Sequence, residues 1–293
     1  MKALIIAEHA AAAAELVAGA RTMADEVVAI SFDGAYECGA DKVLNITVPE
    51  GLTVDSAVET VNAAFDAENP EVVLVEACRH MKVIAGSLAF HADTAVITDV
   101  TAFEAEGAKS MYFGGIAERV QKAAGNVAIY TIGVGVFDGA EGANGSVAEQ
   151  EWVAPARPVK VVSSQVIEKS GVNLFKADVV VAAGRGFAEE SQLSMANDLC
   201  DKLGAGLACS RPLTEGVNWL PTERYVGVSG LMLTPKVYIA AGISGQMQHM
   251  VGCNRSGAIF AINKDKNAPI FKQCDFGLVG DIKDVLPAIT AAL

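Results

Sequence analysis

The stretch with the most chemical potential is VYIAAGISGQMQH, residues 237–249. An apolar strand-like run ends in Gly242-Ile243-Ser244-Gly245, whose glycines permit a tight turn, and a short helical pattern begins near Gln246. Backbone N–H groups left free at a helix start can cradle an anion such as a pyrophosphate. His249 lies one turn beyond Gly245, so its imidazole can reach the same crevice. Two chemistries compete here. In one, Ser244 attacks with His249 as base; in the other, Ser244 and the turn amides hold a nucleotide phosphate. The first fails on spacing, because the nucleophile elbow GxSxG places a residue between its serine and second glycine. A glycine-serine helix cap with a surface histidine would account for the segment if it stood alone.

It does not stand alone. Arg185, in Gly184-Arg185-Gly186, follows the apolar run 177–183, and Ser210-Arg211-Pro212 follows Leu207-Ala208-Cys209. Tyr225–Gly230 (YVGVSG) and Asn263-Lys264-Asp265 are further turns at element ends. In a parallel sheet, the turns after different strands meet at one crevice. This crevice would hold two arginines, several hydroxyls, an asparagine and a histidine. It lacks paired carboxylates, a base with an orienting acid, and a lysine suited to Schiff-base work. Binding and tuning a large anionic cofactor accounts for that inventory better than side-chain catalysis.

Other chemistries find less support. There is no Walker loop, and neither Gly184-Arg185-Gly186 nor Gly133-Val134-Gly135 completes a dinucleotide fingerprint. The histidines at 9, 80, 91 and 249 form no HExxH and no zinc-type Cys/His spacing, so no metal is expected. The six cysteines (38, 78, 200, 209, 253 and 274) contain no CxxC and read as reduced thiols of a cytosolic protein. Cys209 reads as a small core filler, Trp152 and Trp219 as packing residues, and His9 as surface.

The elements that would position these turns are short β-branched runs separated by helical patterns. Lys2–Ala7, Glu26–Phe32, Glu71–Glu76 and Ala95–Val100 fit buried parallel strands, with helices over Ala11–Ala20, Thr53–Ala67 and Met81–Phe90. Such alternation implies a doubly wound α/β unit. Lys109–Phe113, Asn126–Gly133 and Lys160–Glu168 read as further strands, and Phe137–Gln150 as a long loop. A second α/β unit starts near residue 167. Its strands are 177–183, 236–241 and 258–262, and its helices run over 189–203 and 281–293.

Composition agrees with this plan. The 293 residues are 52% hydrophobic and 19% charged, as two-sided burial of strands requires. A net charge of −13 argues against nucleic acid and anionic membrane surfaces as partners. No apolar run reaches the length of a spanning helix, so no integral membrane segment is expected. The opening residues show no targeting pattern, which makes the expected location cytoplasmic.

At the turns named above, the sequence resembles the alpha subunit of electron transfer flavoproteins. VYIAAGISGQMQHMVGCNRSGAIFAIN (237–263) carries most of that resemblance. VVVAAGRG (179–186), GAGLACSRP (204–212), YVGVSG (225–230) and NKDKNAPIFKQCDFGLVGD (263–281) extend it. The CSRP and NKDKNAPIF wording is most similar to the Fix-type branch, which includes carnitine-pathway flavoproteins. TDVTAFEAEG (98–107), MYFGGIAE (111–118) and TIGVGVFDG (131–139) match more loosely, and Ala77-Cys78-Arg79-His80-Met81 departs from the family's wording.

The resemblance implies a fold, a cofactor and a partner. Residues 1–166 would form a doubly wound nucleotide-binding-like domain that contacts the partner, and 167–293 a parallel-sheet α/β domain that binds FAD. The partner would be an electron transfer flavoprotein beta subunit. Arg211, beside Ser210, falls on the family's flavin-contacting arginine, His249 on the histidine that reaches a flavin carbonyl, and Ser229 on a hydroxyl that meets the ring. Val228 replaces a glutamine of the commoner wording, removing an amide near the ring. Arg185, Val226, Gly227, Ser244, Gly245, Gln246, Met247, Gln248, Asn263, Asp281 and Ile282 fall on the remaining cofactor positions. The implied activity is an electron carrier with no substrate turnover of its own. Its donor would be an acyl-CoA dehydrogenase-type flavoenzyme, with a quinone oxidoreductase as one candidate acceptor. Whether the beta subunit holds AMP or a second FAD, and so whether the complex bifurcates electrons, stays open. The alternatives are an NAD- or nucleotide-dependent α/β enzyme, and a scaffold that has lost its cofactor.

Overall fold

The computed structural model describes residues 1–133, 135–139, 142–165 and 172–293. The chain divides into two compact units, one of Met1–Tyr112 with Ala117–Val166, the other of Ile167–Leu293 with Phe113–Ile116.

In the first unit, β1 (Lys2–Ile6), α1 (Ala10–Ala20), β2 (Glu26–Phe32), β3 (Lys42–Ile46), α2 (Val58–Glu68), β4 (Val72–Glu76) and α3 (Arg79–His91) come first. They are followed by β5 (Val96–Glu104), β6 (Gly107–Tyr112), β7 (Ala117–Gln121), β8 (Ala128–Ile132) and β9 (Ser146–Glu149). The nine strands form one sheet in the order β7-β6-β5-β8-β4-β1-β2-β3-β9. All pairings are parallel except β5–β6 and β6–β7. Successive residues of a strand face opposite sides, and both sides are covered. Leu4, Ile6, Val28 and Ile30 pack with Val61 of α2 and Ile84 and Leu88 of α3. Ala3, Ile5, Val27 and Ala29 pack with Leu16 and Val17 of α1 on the other face. Each large aliphatic side chain so buried contributes roughly 1.5–3 kcal/mol.

The second unit contains β10 (Val179–Ala183), α4 (Leu193–Leu203), β11 (Gly206–Cys209), β12 (Val237–Ala241), α5 (Met247–Met250), β13 (Ala258–Asn263), β14 (Phe276–Val279) and α6 (Ile282–Ala292). Its five strands are all parallel, in the order β11-β10-β12-β13-β14. Val181, Ala183, Ala241 and Ile262 pack against α4 and α6, while Val180, Ala182, Tyr238 and Ala240 pack with Met250 and Ile270. Both units are therefore α/β layers with helices or loops on both faces of a mainly parallel sheet.

Several expectations need correction. Ser146–Glu149 is an edge strand inside the segment expected to be loop, and β3, β7, β11 and β14 were not anticipated. Strand β9 is exposed throughout, so it shows no apolar alternation. It is held by its parallel ladder to β3 and by the Asn45 amide, which donates to both oxygens of the Glu149 carboxylate at 2.9 and 3.0 Å. Lys160–Glu168 is not a strand where it is described. Lys160 makes an isolated bridge to Leu52, residues 161–165 are irregular, and the rest, with the expected start of the second unit at 167, lies outside the described residues. Residues 53–67 and 189–203 begin as 3-10 turns (Val54–Ala57 and Glu190–Gln192) before α2 and α4 take over.

Candidate functional site

The turns after all five strands of the second unit reach one cleft of about 520 Å³. Arg185 follows β10, Ser210 and Arg211 follow β11, Ser244, Gln246, Gln248 and His249 follow β12, Asn263 ends β13, and Asp281 and Ile282 follow β14; all line it. The chain moves outward from β10 to β11 and then returns to β12 on the other side, so the crevice sits at the point where strand order reverses.

At that reversal two glycine turns interlock. The Gly186 amide donates to the Gly242 carbonyl at 2.9 Å, and a Cβ on Gly242 would stand 2.7 Å from the Gly186 Cα. Gly242 also has φ +66°, a left-handed conformation that disfavours any side chain. The next residues are held by their carbonyls. Asn263 Nδ2 donates to the Ile243 carbonyl at 2.9 Å, the Ile270 amide to that of Ser244 at 3.0 Å, and Gln273 Nε2 to that of Gly245 at 2.9 Å. The amides of residues 243–248 make no hydrogen bond among the described residues. A rigid turn thus leaves a run of donors for an external acceptor, and unpaired amides beside a cleft are what an anion requires. Helix α5 is only four residues long, so the donors themselves matter more than any helix dipole.

His249 is 7% exposed, and its Nε2 is hydrogen-bonded at 2.9 Å to the hydroxyl of Tyr238, a fully buried residue of β12. Burial lowers its pKa to about 4, opposed in part by the Val226 carbonyl, so the ring is neutral at pH 7. Burial also pushes the Tyr238 hydroxyl well above 10, so that phenol keeps its proton. If Tyr238 donates to Nε2, the ring proton sits on Nδ1, which makes no hydrogen bond among the described residues. Three cations, Arg185, Arg211 and Lys264, line the cleft against one carboxylate, Asp281. Arg211 is exposed, and its Nε donates to Glu215 at 2.6 Å, which raises its pKa and offsets part of its field.

Not every predicted residue reaches the wall. Val226 is fully buried behind it, and Gly227, Ser229, Gly245 and Met247 are not among its lining residues. The Ser229 hydroxyl lies 3.3 Å from the Tyr225 hydroxyl, and Tyr225 does line the cleft. Asn263 is in the wall, but both ends of its amide are engaged within the protein, Oδ1 by the Asp265 amide. Asp281 caps α6 by accepting from the Lys283 amide at 3.0 Å while it lines the cleft. Sequence reasoning brought the turns of Tyr225 and Lys264 to the crevice without naming either as a site residue, and it missed Tyr238 and Glu215. The position of Lys264 right after the predicted site residue Asn263 was the available signal.

The sequence matches the electron transfer flavoprotein domain over residues 3–157 and the electron transfer flavoprotein FAD-binding domain over residues 173–254. It is similar to Protein FixB of Escherichia coli O127:H6 (strain E2348/69 / EPEC), at 39% identity across 95% of this chain and 94% of the relative. Protein FixB of Escherichia coli O157:H7 is 40% identical over the same shares. The chain belongs to the electron transfer flavoprotein family. Its second unit carries the family's FAD-binding domain, and the interlocked glycine turns, free amides and His249 lie inside the matched residues.

The residues present fit FAD as a cofactor. The unpaired amides of 243–248 suit its pyrophosphate, and His249 Nδ1, buried at the cleft, makes no hydrogen bond among the described residues and is open to a ligand group. FAD supplies one- and two-electron redox chemistry when bound. The protein contributes position, a buried neutral histidine and a local excess of cations in a chain of net charge −13. Burial of Cys209 pushes its thiol up to about 12, leaving it an inert part of the core beside the site. Trp219 packs against the same core, and Trp152 against the core of the first unit.

Proposed function

We propose that this chain is the FAD-bearing alpha subunit of a heterodimeric electron transfer flavoprotein. It pairs with a beta subunit and carries electrons from an acyl-CoA dehydrogenase-type flavoenzyme to a further acceptor, with a quinone oxidoreductase as one candidate. The pathway is fatty acid or carnitine metabolism, and the location cytoplasmic. Six cysteines without a disulfide among them agree with a reducing compartment. The observation that carries the reading is the meeting of all five carboxyl-end turns of a parallel sheet on one cationic cleft with unpaired amides. In this reading, Arg185, Ser244 and the amides of 243–248 hold the pyrophosphate. Arg211 and His249 favour negative charge on the ring, and Ser229 stands by it as a hydroxyl donor. Residues 1–166 form the partner-contacting domain and 167–293 the FAD-binding domain.

The test is the visible absorption spectrum of the chain co-purified with its beta subunit, followed by chromatography of the heat-released chromophore and by stepwise reduction. Bound FAD that accepts electrons from an acyl-CoA dehydrogenase and passes them on supports the reading. More than one FAD per heterodimer places the complex among the bifurcating forms. A folded, colourless heterodimer that takes up no FAD on reconstitution overturns it.

A further inference from the structure

The first unit has its own strand-order reversal, between β1 and β4, and the turns after these two strands bring five reactive side chains together. Glu8 and His9 follow β1, Glu76 ends β4, and Cys78 and His80 lie at the start of α3. About 70 residues of chain separate the two groups, so neither forms a motif by itself.

Glu76 is 8% exposed and fixes the first turn. One carboxylate oxygen accepts from the Glu8 and His9 amides at 2.8 and 3.1 Å, and the other lies 2.7 Å from His9 Nδ1. His80 Nδ1 sits 2.9 and 3.1 Å from the two oxygens of Glu8, and the Cys78 thiol donates to Glu8 Oε2 at 3.2 Å. One ligand atom each from Glu8, His9 and Cys78 falls within 4.8 Å of the other two. His9 Nε2 has no hydrogen-bond partner among the described residues. A histidine whose second nitrogen is held by a carboxylate is the usual form of a metal-bound imidazole, because the carboxylate sets the ring's tautomer and angle.

We propose that Glu8, His9 and Cys78 form a zinc site, with Glu76 and His80 orienting the ligands. Carboxylate, imidazole and thiolate together suit a borderline cation of the zinc type and not magnesium or calcium, which take oxygen ligands. Three protein ligands leave a position for water, and the side-chain exposures, 65% for His9 and 22% for Glu8, give access from solvent. Zinc binding replaces the proton of the Cys78 thiol by a Zn–S bond and releases that proton to solvent. With one carboxylate and one thiolate, the ligand set neutralises the ion. The site rests on the first unit alone and is independent of the FAD reading.

The experiment is zinc titration of the FAD-loaded protein by calorimetry, with X-ray absorption at the zinc edge on the loaded sample. A single saturable equivalent is expected, with one sulfur scatterer near ~2.3 Å and lighter ligands at about 2.0–2.1 Å. Cys78→Ser should lose the sulfur scatterer, and Glu76→Gln should weaken binding by about 10–100-fold. His9→Ala, at an exposed position, should abolish saturable binding while FAD content and circular dichroism stay unchanged. His91→Ala, at a surface histidine paired with Asp66, should bind like the parent. Absence of saturable uptake, zinc without a sulfur scatterer, or uptake unchanged in both Cys78→Ser and His9→Ala would overturn the proposal.

Discussion

Tyr238→Phe tests how His249 is held. Tyr238 is fully buried near the start of β12, so removing its hydroxyl changes no surface and leaves only a small gap. Among the described residues the hydroxyl is the one hydrogen-bond partner of His249 Nε2, at 2.9 Å, and the ring around it is 7% exposed. Phenylalanine would leave a buried acceptor unsatisfied, a cost of roughly 1–3 kcal/mol. The urea midpoint should fall accordingly with an unchanged m-value, and the melting temperature by on the order of 4 °C per kcal/mol. The functional consequence follows from the tautomer. Without a donor at Nε2 the ring proton is free to move there, and Nδ1 stops being a reliable donor to the cleft. If that donor favours reduced over oxidised flavin by about 1.4 kcal/mol, its loss lowers the two-electron midpoint potential by about 30 mV. A cycle of Tyr238→Phe, His249→Ala and the double variant, read by urea unfolding, isolates the pair, with an expected coupling of about 1–3 kcal/mol. Nitrogen NMR of His249 reports the tautomer directly. Additive effects in the cycle, together with an unchanged tautomer, would refute the argument.

Three further outcomes are expected. His249 has its pKa lowered from 6.5 to about 4, so between those values the unfolded chain holds a proton that the native chain lacks. Stability should therefore fall as pH drops through that window, by roughly 3 kcal/mol in all, and urea midpoints of a His249→Gln variant should lose that share of the acid dependence. Gly242→Ala places a Cβ 2.7 Å from the Gly186 Cα at φ +66°; it should destabilise the fold by roughly 1–3 kcal/mol and cut FAD affinity, both measurable by thermal melts and flavin titration. Glu215→Gln removes the carboxylate on Arg211, so the arginine's field at the cleft grows, and redox titration should show the flavin potential rise.

The parts of the fold legible in the sequence are those buried on both sides. Strands β1, β2, β4, β10, β12 and β13 read as near-continuous apolar runs because helices or loops cover both faces. The strands that escaped notice lack that signal. Strands β9 and β14 are exposed edges, and β11 is four residues long. Strand β3 contains Asn45, a buried amide whose partners include Ser31, the Gly34 amide and Glu149. Its burial depends on residues far along the chain, which no local pattern records. The same divide runs through the site. Glycines and hydroxyls in the turns advertised a crevice, since turn chemistry is local. Tyr238 looked like one more apolar strand residue, and its hydroxyl acquires meaning only because α5 brings His249 back over β12.

The two units reuse one geometric device with opposite electrostatics. In each, a wholly or mainly parallel sheet reverses its strand order, and the turns beyond the carboxyl ends are forced to meet. In the second unit the meeting point holds Arg185, Arg211, Lys264 and unpaired amides, donors that wait for a negatively charged acceptor. In the first it holds Glu8, Glu76 and a thiol, with His9 and His80 hydrogen-bonded to the carboxylates, an acceptor-rich arrangement suited to a cation. Sheet order decides where chemistry can occur, and a handful of turn residues decides the sign of what binds. Exchanging the charge of a turn residue is therefore expected to change ligand choice while leaving the strands beneath untouched, because those strands are held by apolar burial that the turns do not share.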